Sequence, residues 1–162
     1  MADSNQHILI ADSGCDQTLV TKIWTILENT GHYVMMTGAF AGCNVGERFP
    51  VVHAACKAVM KDGSAFALIA NEALYDSNES QVESLLSVHQ SLQLQANHID
   101  DRGHCEHDIH DKPGTQQAIF GSHVLPFYFD GSKCFFAIEP LSSEEFQELP
   151  HVKDRNPKVY TK

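Results

Sequence analysis

One run of residues near the start of the chain combines the groups needed to activate water. Asp12-Ser13-Gly14 follows directly after the apolar run Ile8-Leu9-Ile10-Ala11. A short apolar run closed by turn residues predicts a buried strand that ends in a tight loop. Such a strand would carry the Asp12 carboxylate at its tip, where it could act as a general base toward water. The Ser13 hydroxyl would hold the loop and Gly14 would let the backbone turn closely, although the same pattern also occurs in plain surface turns.

A second group of residues has the chemistry of a metal site. Between residues 98 and 110 the chain carries the zinc-binding side-chain types His98, His104, Cys105, His107, Asp108 and His110. Structural zinc sites usually draw on two ligand pairs separated by a longer spacer, and Gly103 and Pro113-Gly114 indicate a solvated loop. We therefore expect a loop without metal and no cofactor, with a zinc-binding module at 98–110 as an alternative.

The cysteines indicate a reducing environment. They are odd in number and without CxxC pairing: Cys15, Cys43, Cys56, Cys105 and Cys134. A positively charged leader is absent from the first residues, and the apolar runs stay below the ~20 residues of a spanning helix, so we expect a cytoplasmic chain without membrane contact. A thiol-protease pair built from Cys43 or Cys56 with His53 is the less favoured interpretation, because buried cysteines usually act as small hydrophobes.

Length and charge limit the possible functions. The chain has 162 residues, of which 43% are apolar, so it is long enough for one domain with a core. Against 11 Lys and Arg stand 21 Asp and Glu, which gives a formal net charge of -10. A protein that binds nucleic acid through phosphates needs clustered Lys and Arg, so direct nucleic-acid binding is not expected.

The apolar pattern predicts a mostly β domain over residues 1–139. Strands are expected at 8–11, 32–36, 51–60 and 65–70, with an irregular strand or a short helical turn at 18–27. Asp-Gly turns predict two hairpins, one at Lys61-Asp62-Gly63-Ser64 and one joining 124–129 to 134–138. Pro126 places the strand that contains it at an edge or where no amide donor is required.

The later part of the domain contains the best helical pattern. Val82, Leu85, Leu86 and His89 share one helical face, so we expect a helix over 81–94. A His- and Asp-rich loop is expected at 98–115. From Pro140 onward apolar periodicity fades, which indicates a tail or linker over residues 140–162.

Two motifs together resemble the retropepsin-like aspartic proteases of copia-type retrotransposon polyproteins. Leu9-Ile10-Ala11-Asp12-Ser13-Gly14-Cys15 is similar to the family pattern of two hydrophobic residues, any residue, Asp-Ser-Gly and a small residue. Downstream, Ala73-Leu74-Tyr75 and Ser84-Leu85-Leu86-Ser87-Val88-His89-Gln90 resemble the family's Val-Leu-Tyr and Asn-Leu-Leu-Ser-Val-x-Gln segments. The resemblance covers residues 7–95 and implies a closed retropepsin-like β-barrel with one short late helix.

The resemblance also implies an activity. Two aspartates would share a proton and polarise the water that attacks a peptide bond. Asp12-Ser13-Gly14 is the one Asp-[Ser/Thr]-Gly in the sequence, so the dyad needs Asp12 from two chains of a C2 homodimer. By resemblance, Ser13 would brace the paired loops, and Gly14, Cys15 and Asp16 would line the cleft floor.

A glycine-bearing flap should cover the cleft. We expect it at residues 37–46 or at the Lys61-Asp62-Gly63-Ser64 turn, and Phe40 is a candidate substrate contact. The implied substrate is a peptide within a retroelement polyprotein. A catalytically inactive dimerisation or peptide-binding domain of the same fold is the alternative. Because the chains are acidic and carry ten histidines, we expect the dimer to tighten in mild acid.

Overall fold

The structure is a computed structural model that describes residues 6–12, 14–35, 47–92, 97–100, 116–129 and 133–156, with the backbone alone described at His89, His98 and Asp100. In chain order the elements are β1 (Ile8–Asp12), β2 (Leu19–Thr21), β3 (Thr25–Met35), β4 (Arg48–Val59), β5 (Ala65–Asp76), β6 (Glu83–Ser87), α1 (Val88–Leu92), β7 (Asn97–Asp100), β8 (Gln117–Phe120), β9 (His123–Pro126), β10 (Tyr128–Phe129), β11 (Cys134–Glu139), α2 (Ser143–Glu148) and β12 (His151–Lys153).

Six strands close into a barrel. Their order around it is β1, β6, β2, β5, β4 and β11, and β11 pairs back onto β1. β1 is parallel to β6 and β2 is parallel to β5, whereas the other neighbouring pairs are antiparallel. Closure pairs both edges of each of these strands, which stabilises a small β-protein. The prediction of a mostly β fold built on a closed barrel is confirmed.

The barrel interior is apolar and tightly packed. Phe127 and Phe136 are buried with their rings stacked at 4.5 Å between centroids. The Trp24 side chain is also buried, and its Nε1–H donates to Ser84 Oγ at 2.9 Å. The polar end of the indole is thereby satisfied inside the core. In the part of the chain that is described, no helix has the length and apolar character needed to cross a membrane.

The two predicted hairpins have different outcomes, and the Asp-Gly turn of the second one, at residues 130–131, lies outside the described residues. The first hairpin is confirmed, because β4 and β5 pair antiparallel and the amide of Met60 donates to the Ser64 carbonyl at 2.8 Å. Gly63 has a φ of 88°, a conformation that favours glycine. The second hairpin is shorter than predicted. Within residues 124–129, only the two residues of β10 pair with β11. Pro126 ends β9, which lies at the edge of a separate sheet of order β7-β8-β9.

The segment after the Asp12 loop forms strands. β2 lies within the barrel and, after a turn at 22–24, β3 runs antiparallel to β4 at the end of the strand order. β3 is longer than the predicted strand at 32–36, and its register shifts twice, between Ile26 and Glu28 and between Asn29 and Tyr33. β-branched residues at 18–27 thus favour strand, which was one of the two interpretations of this segment.

The predicted helix at 81–94 is wrong over its first half. Residues 83–87 form β6, which lies between β1 and β2, and the helix α1 begins at Val88. Ser84, Leu85, Leu86 and Ser87 are all buried. A strand covered on both faces lacks alternation between apolar and polar residues, so its pattern can be mistaken for one face of a helix.

Residues 141–156, assigned from the sequence to a tail or linker, are part of the folded unit. β12 runs parallel to β5, and Leu141 packs against Ala55, Ala67 and Ile69. Helix α2 begins with a capping box between Ser142 and Glu145. A segment with few apolar residues is ordered here because β2 covers its edge of β5 only at residues 74–76, which leaves residues 67–69 of that edge to pair with β12.

Candidate active site

Asp12 is the last residue of β1 and lies beside Ser87 in the parallel strand β6. Its side chain is half-buried, and its Oδ1 accepts a hydrogen bond from the Gly14 amide at 2.8 Å. The Cys15 amide donates to the Asp12 carbonyl at 3.4 Å, which closes the turn. The predicted arrangement of a barrel strand that carries a carboxylate at its tip is therefore present.

Gly14 lies very close to this carboxylate. A Cβ atom built at residue 14 would lie 3.3 Å from Asp12 Oδ1, which is tighter than an ordinary contact. Glycine thus allows the amide of residue 14 to approach the carboxylate oxygen. An oriented carboxylate with partial access to solvent has the chemistry of a general base.

The side chains of Cys15 and Asp16, the two residues after Gly14, lie in different environments. The Cys15 thiol donates to the Gln17 carbonyl at 2.6 Å, and its side chain packs against an apolar cluster that includes Leu19 and Leu85. Burial, together with the nearby Asp12 and Asp16 carboxylates, raises the pKa of the Cys15 thiol. Asp16 is exposed. Of the two, Asp16 has the side chain more accessible to a substrate.

Two other predicted site residues lie outside the described part of the chain. These are Ser13 and Phe40, together with the flap candidate at 37–46. The second flap candidate is described, and Lys61 Nζ lies 5.1 Å from the centroid of the Tyr128 ring. The turn at 61–64 is thereby placed next to β10. Which segment serves as a flap remains a prediction.

The described residues 14–18 between β1 and β2, which we name the Asp12 loop, are anchored by side chains that were not predicted to have this role. Ser87 Oγ donates to the Cys15 carbonyl at 2.7 Å, and the Thr18 amide donates to Gln90 Oε1 at 3.1 Å. The Ser87 amide donates to Thr18 Oγ1 at 3.0 Å. Ser87 and Gln90 both belong to the Ser-Leu-Leu-Ser-Val-His-Gln motif, so the motif contained the signal for them.

Further polar residues lie behind this loop. Asp154 Oδ1 accepts the Asn71 amide at 2.9 Å, and Asp154 Oδ2 accepts the Thr18 hydroxyl at 3.4 Å. Gln17 Nε2 donates to the Glu72 carbonyl at 3.2 Å. We name the buried polar residues of this region the anchor cluster: Thr18, Asn71, Glu72, Ser87, Gln90, Asp154 and Arg155.

The anchor cluster contains a buried ion pair next to a buried acid. Arg155 lies 3.1 Å from Glu72 Oε2, and their side chains are 8% and 3% exposed. Burial raises the pKa of Asp154 to about 7, against the opposing effects of the Asn71 amide, Arg155 and Thr18. Burying charged and polar groups is unfavourable unless they are paired, and here Arg155 pairs with Glu72 while Asp154 accepts two hydrogen bonds.

Of the alternative thiol-protease groups, His53 and Cys56 are not supported by their surroundings, and Cys43 lies outside the described residues. His53 Nδ1 accepts the Glu72 amide hydrogen at 3.1 Å, which gives this imidazole a structural contact. Cys56 is fully buried, and burial raises the pKa of its thiol well above the ordinary value, which disfavours the nucleophilic thiolate. Among the described residues, no group of three His, Cys, Asp or Glu side chains could hold a metal ion.

The alternative zinc module cannot be placed in the same way. Its candidate ligands at 104–110 lie outside the described residues, and at His98 the backbone alone is described. The module therefore stays a prediction.

No protein-family model, no curated protein and no solved structure matches the chain. Its function is therefore inferred from the geometry of the Asp12 loop.

Proposed function

We propose that the chain is an aspartic endopeptidase that acts as a homodimer, with Asp12 of two chains in one active site. The observation that carries the proposal is the Asp12 carboxylate at the tip of barrel strand β1, oriented by the Gly14 amide. The anchored loop that follows supports the same function, because catalysis requires a carboxylate held in a defined position.

The proposed dimer follows from the count of catalytic groups. One Asp-Ser-Gly per chain supplies half of a dyad, and a two-fold axis would bring the second Asp12 opposite the first. Two carboxyl groups in contact share one proton, because both cannot be ionised at that distance. One group is then a base and the other an acid.

The reaction is hydrolysis of a peptide bond. The ionised Asp12 takes a proton from water as the water oxygen attacks the carbonyl carbon, while the protonated Asp12 gives its proton to the carbonyl oxygen. The tetrahedral intermediate carries two hydroxyl groups. It collapses as the proton taken from water passes to the leaving nitrogen, the C–N bond breaks, and the Asp12 that gave its proton takes one back from a hydroxyl group, which restores the dyad. The resemblance extends this proposal to a retroelement polyprotein as substrate, with Ser13 bracing the paired loops and with Gly14, Cys15 and Asp16 lining the cleft floor. Phe40 is a further candidate substrate contact.

The test is cleavage of an unstructured polypeptide between pH 4 and 7, followed by the appearance of new amino termini. We expect Asp12→Asn to lower kcat/KM by about 10²–10⁴-fold, the range attributed to acid–base groups. The matched control is Glu148→Gln, because Glu148 is exposed on α2 and this change removes one negative charge as well. Equal cleavage by wild type and Asp12→Asn would disprove the proposal.

A second candidate is a peptide-binding domain of the same fold without catalysis. It is favoured by four exposed apolar side chains on β3: Ile26, Leu27, Tyr33 and Met35. An extended peptide can add to such a strand through backbone hydrogen bonds. Binding of a peptide without any cleavage, and with equal affinity in wild type and Asp12→Asn, would favour this candidate over the first.

A further inference from the structure

Asp154 reaches the loop after Asp12 from the far end of the chain. It follows β12, is fully buried, and contacts Thr18, a residue 136 positions earlier. Its two carboxylate oxygens have separate partners, since Oδ1 accepts the Asn71 amide and Oδ2 accepts the Thr18 hydroxyl. The Asp154 amide also donates to the Ile69 carbonyl at 3.0 Å, so both the backbone and the side chain are fixed against β5.

Thr18 transmits this contact to the candidate active site. Its hydroxyl oxygen accepts the Ser87 amide, and its own amide donates to Gln90 Oε1. Ser87 is the register neighbour of Asp12 and also donates its hydroxyl to the Cys15 carbonyl. A displacement of Thr18 therefore acts on β6 and on the loop at the same time.

We propose that Asp154 is a positioning residue for Asp12, through which pH regulates the geometry of the candidate active site. The proposal rests on the proposed function for its meaning in catalysis, but the coupling between Asp154 and the Asp12 loop can be measured without activity. Asp154 does not touch the reacting atoms in this proposal. It acts through Thr18 and Ser87.

The physical cause is the change in hydrogen bonding when Asp154 gains a proton. An ionised carboxylate only accepts hydrogen bonds, so Thr18 donates to it; a protonated carboxyl can also donate. If the proton lies on Oδ2, the Thr18 oxygen receives hydrogen bonds from both Asp154 and Ser87, and the Thr18 proton must turn to another acceptor. The bond between Thr18 and Asp154 is then reversed in direction.

Burial, partly opposed by the surrounding charged and polar groups, makes this change accessible near neutral pH. Burial raises the pKa of Asp154 to about 7. Arg155 beside it favours the ionised form, and Arg155 in turn pairs with Glu72 of β5. On the far side, the Glu72 amide donates to His53 of β4. Asp154 therefore titrates in the range where an aspartate in water is always ionised.

The first experiment follows backbone amide chemical shifts by NMR from pH 5 to pH 8.5. In wild type we expect the amides of Ser87, Cys15 and Gly14 to move together with a midpoint near the Asp154 pKa of about 7. Asp154→Asn should abolish this step, whereas the exposed Glu148→Gln should retain it. A step of the same midpoint and size in Asp154→Asn would overturn the proposal.

A second variant guards against loss of folding in Asp154→Asn. Thr18→Val retains Asp154 but removes the hydroxyl that links it to Ser87. The step at Gly14 should then disappear while the step at Asn71, whose amide contacts Asp154 directly, persists. A Gly14 step that survives in Thr18→Val would show that the coupling does not pass through Thr18 and would overturn the assignment.

The activity experiment separates this inference from the proposed function. We expect the ratio of kcat/KM in wild type to that in Asp154→Asn to change about threefold to tenfold across pH 7, with KM little altered. A constant ratio would contradict regulation by Asp154. If wild type cleaves no peptide at any pH, the proposed function fails, while the NMR titration still decides whether Asp154 positions the loop.

Discussion

The surroundings of the Asp12 loop and of strand β3 differ in which side chains are buried and which are exposed. The loop is surrounded by the anchor cluster, in which polar side chains are buried and hydrogen-bonded. β3 instead exposes apolar side chains, with Tyr33 60% and Met35 57% accessible. Hydrogen bonds are directional and define positions, whereas apolar contact is not directional. The difference indicates that hydrogen bonds fix the position of the residues around Asp12, whereas the apolar side chains of β3 are left accessible for contact with other molecules.

The largest expected difference in unfolding free energy is between breaking the buried ion pair of the anchor cluster and breaking an exposed ion pair. Arg155→Met removes the cation beside buried Glu72 and should lower the free energy of unfolding by about 3–5 kcal/mol. Lys22→Met breaks the pair between Lys22 and Glu79, whose side chains are 35% and 89% exposed, and should cost less than about 1 kcal/mol. Urea unfolding measures both. Equal losses of unfolding free energy in the two variants would show that an ion pair in the anchor cluster contributes no more to stability than one at the surface.

Protonation of Asp154 should make the free energy of unfolding depend on pH. Its pKa is raised from 3.8 to about 7 on folding, so the native state holds a proton that the unfolded chain releases. The resulting stability is fully present below about pH 4 and is lost as pH rises to about 7, by up to ~1.4 kcal/mol per pH unit.

The matching measurement compares wild type with Asp154→Asn in urea at several pH values. The variant should show a flatter decline of the unfolding free energy over this window. Parallel curves for the two proteins would mean that Asp154 is ionised throughout in the folded chain.

A matched pair of threonines tests the hydrogen bonds themselves. Thr18→Val leaves the Ser87 amide without its acceptor inside the protein and should cost about 1–3 kcal/mol. Thr25→Val, on exposed β3, removes one hydrogen bond to the Leu141 carbonyl and should change stability by less than about 1 kcal/mol. Thermal unfolding of both variants gives the comparison, which fails if Thr25→Val is the more damaging change.

The smallest effect is expected on β3. Tyr33→Thr replaces an exposed aromatic residue by a β-branched one and should change the unfolding free energy by no more than about 0.5 kcal/mol. Any binding of extended peptides to β3 should weaken in the same variant, as seen by fluorescence anisotropy. A stability loss above about 1 kcal/mol would mean that Tyr33 is packed, and the contrast between the two regions would disappear.

Local patterns predicted the parts of the fold that are formed by neighbouring residues. The apolar run before Asp12 and the Asp-Gly turn at 62–63 are examples, because both carry a signal within a few residues. β6 was mistaken for helix because it is buried on both faces. β12 has one buried residue, Val152, and its pairing with β5 is determined by tertiary contact rather than by composition.

In the candidate site, too, contacts between neighbouring residues could be predicted from the sequence, whereas contacts between distant residues could not. Asp12, Gly14 and their turn follow from the sequence, since their contacts span two residues. The contacts of Thr18 with Gln90 and with Asp154 span 72 and 136 residues. Polar residues of this kind resemble any surface threonine or aspartate in the sequence. Their role depends on a buried location that only the closed barrel creates.

The connection between Thr18 and Asp154 also has a consequence for the order of folding. Contacts between residues so far apart require closure of a long loop before they contribute, which makes them slow to form. A ribosome adds β12 after all the barrel strands, so a nascent chain can assemble its barrel while the Asp12 loop still lacks its last anchor. The hydrogen bonds that hold the Asp12 loop would then be completed late in biogenesis, after the barrel itself has formed.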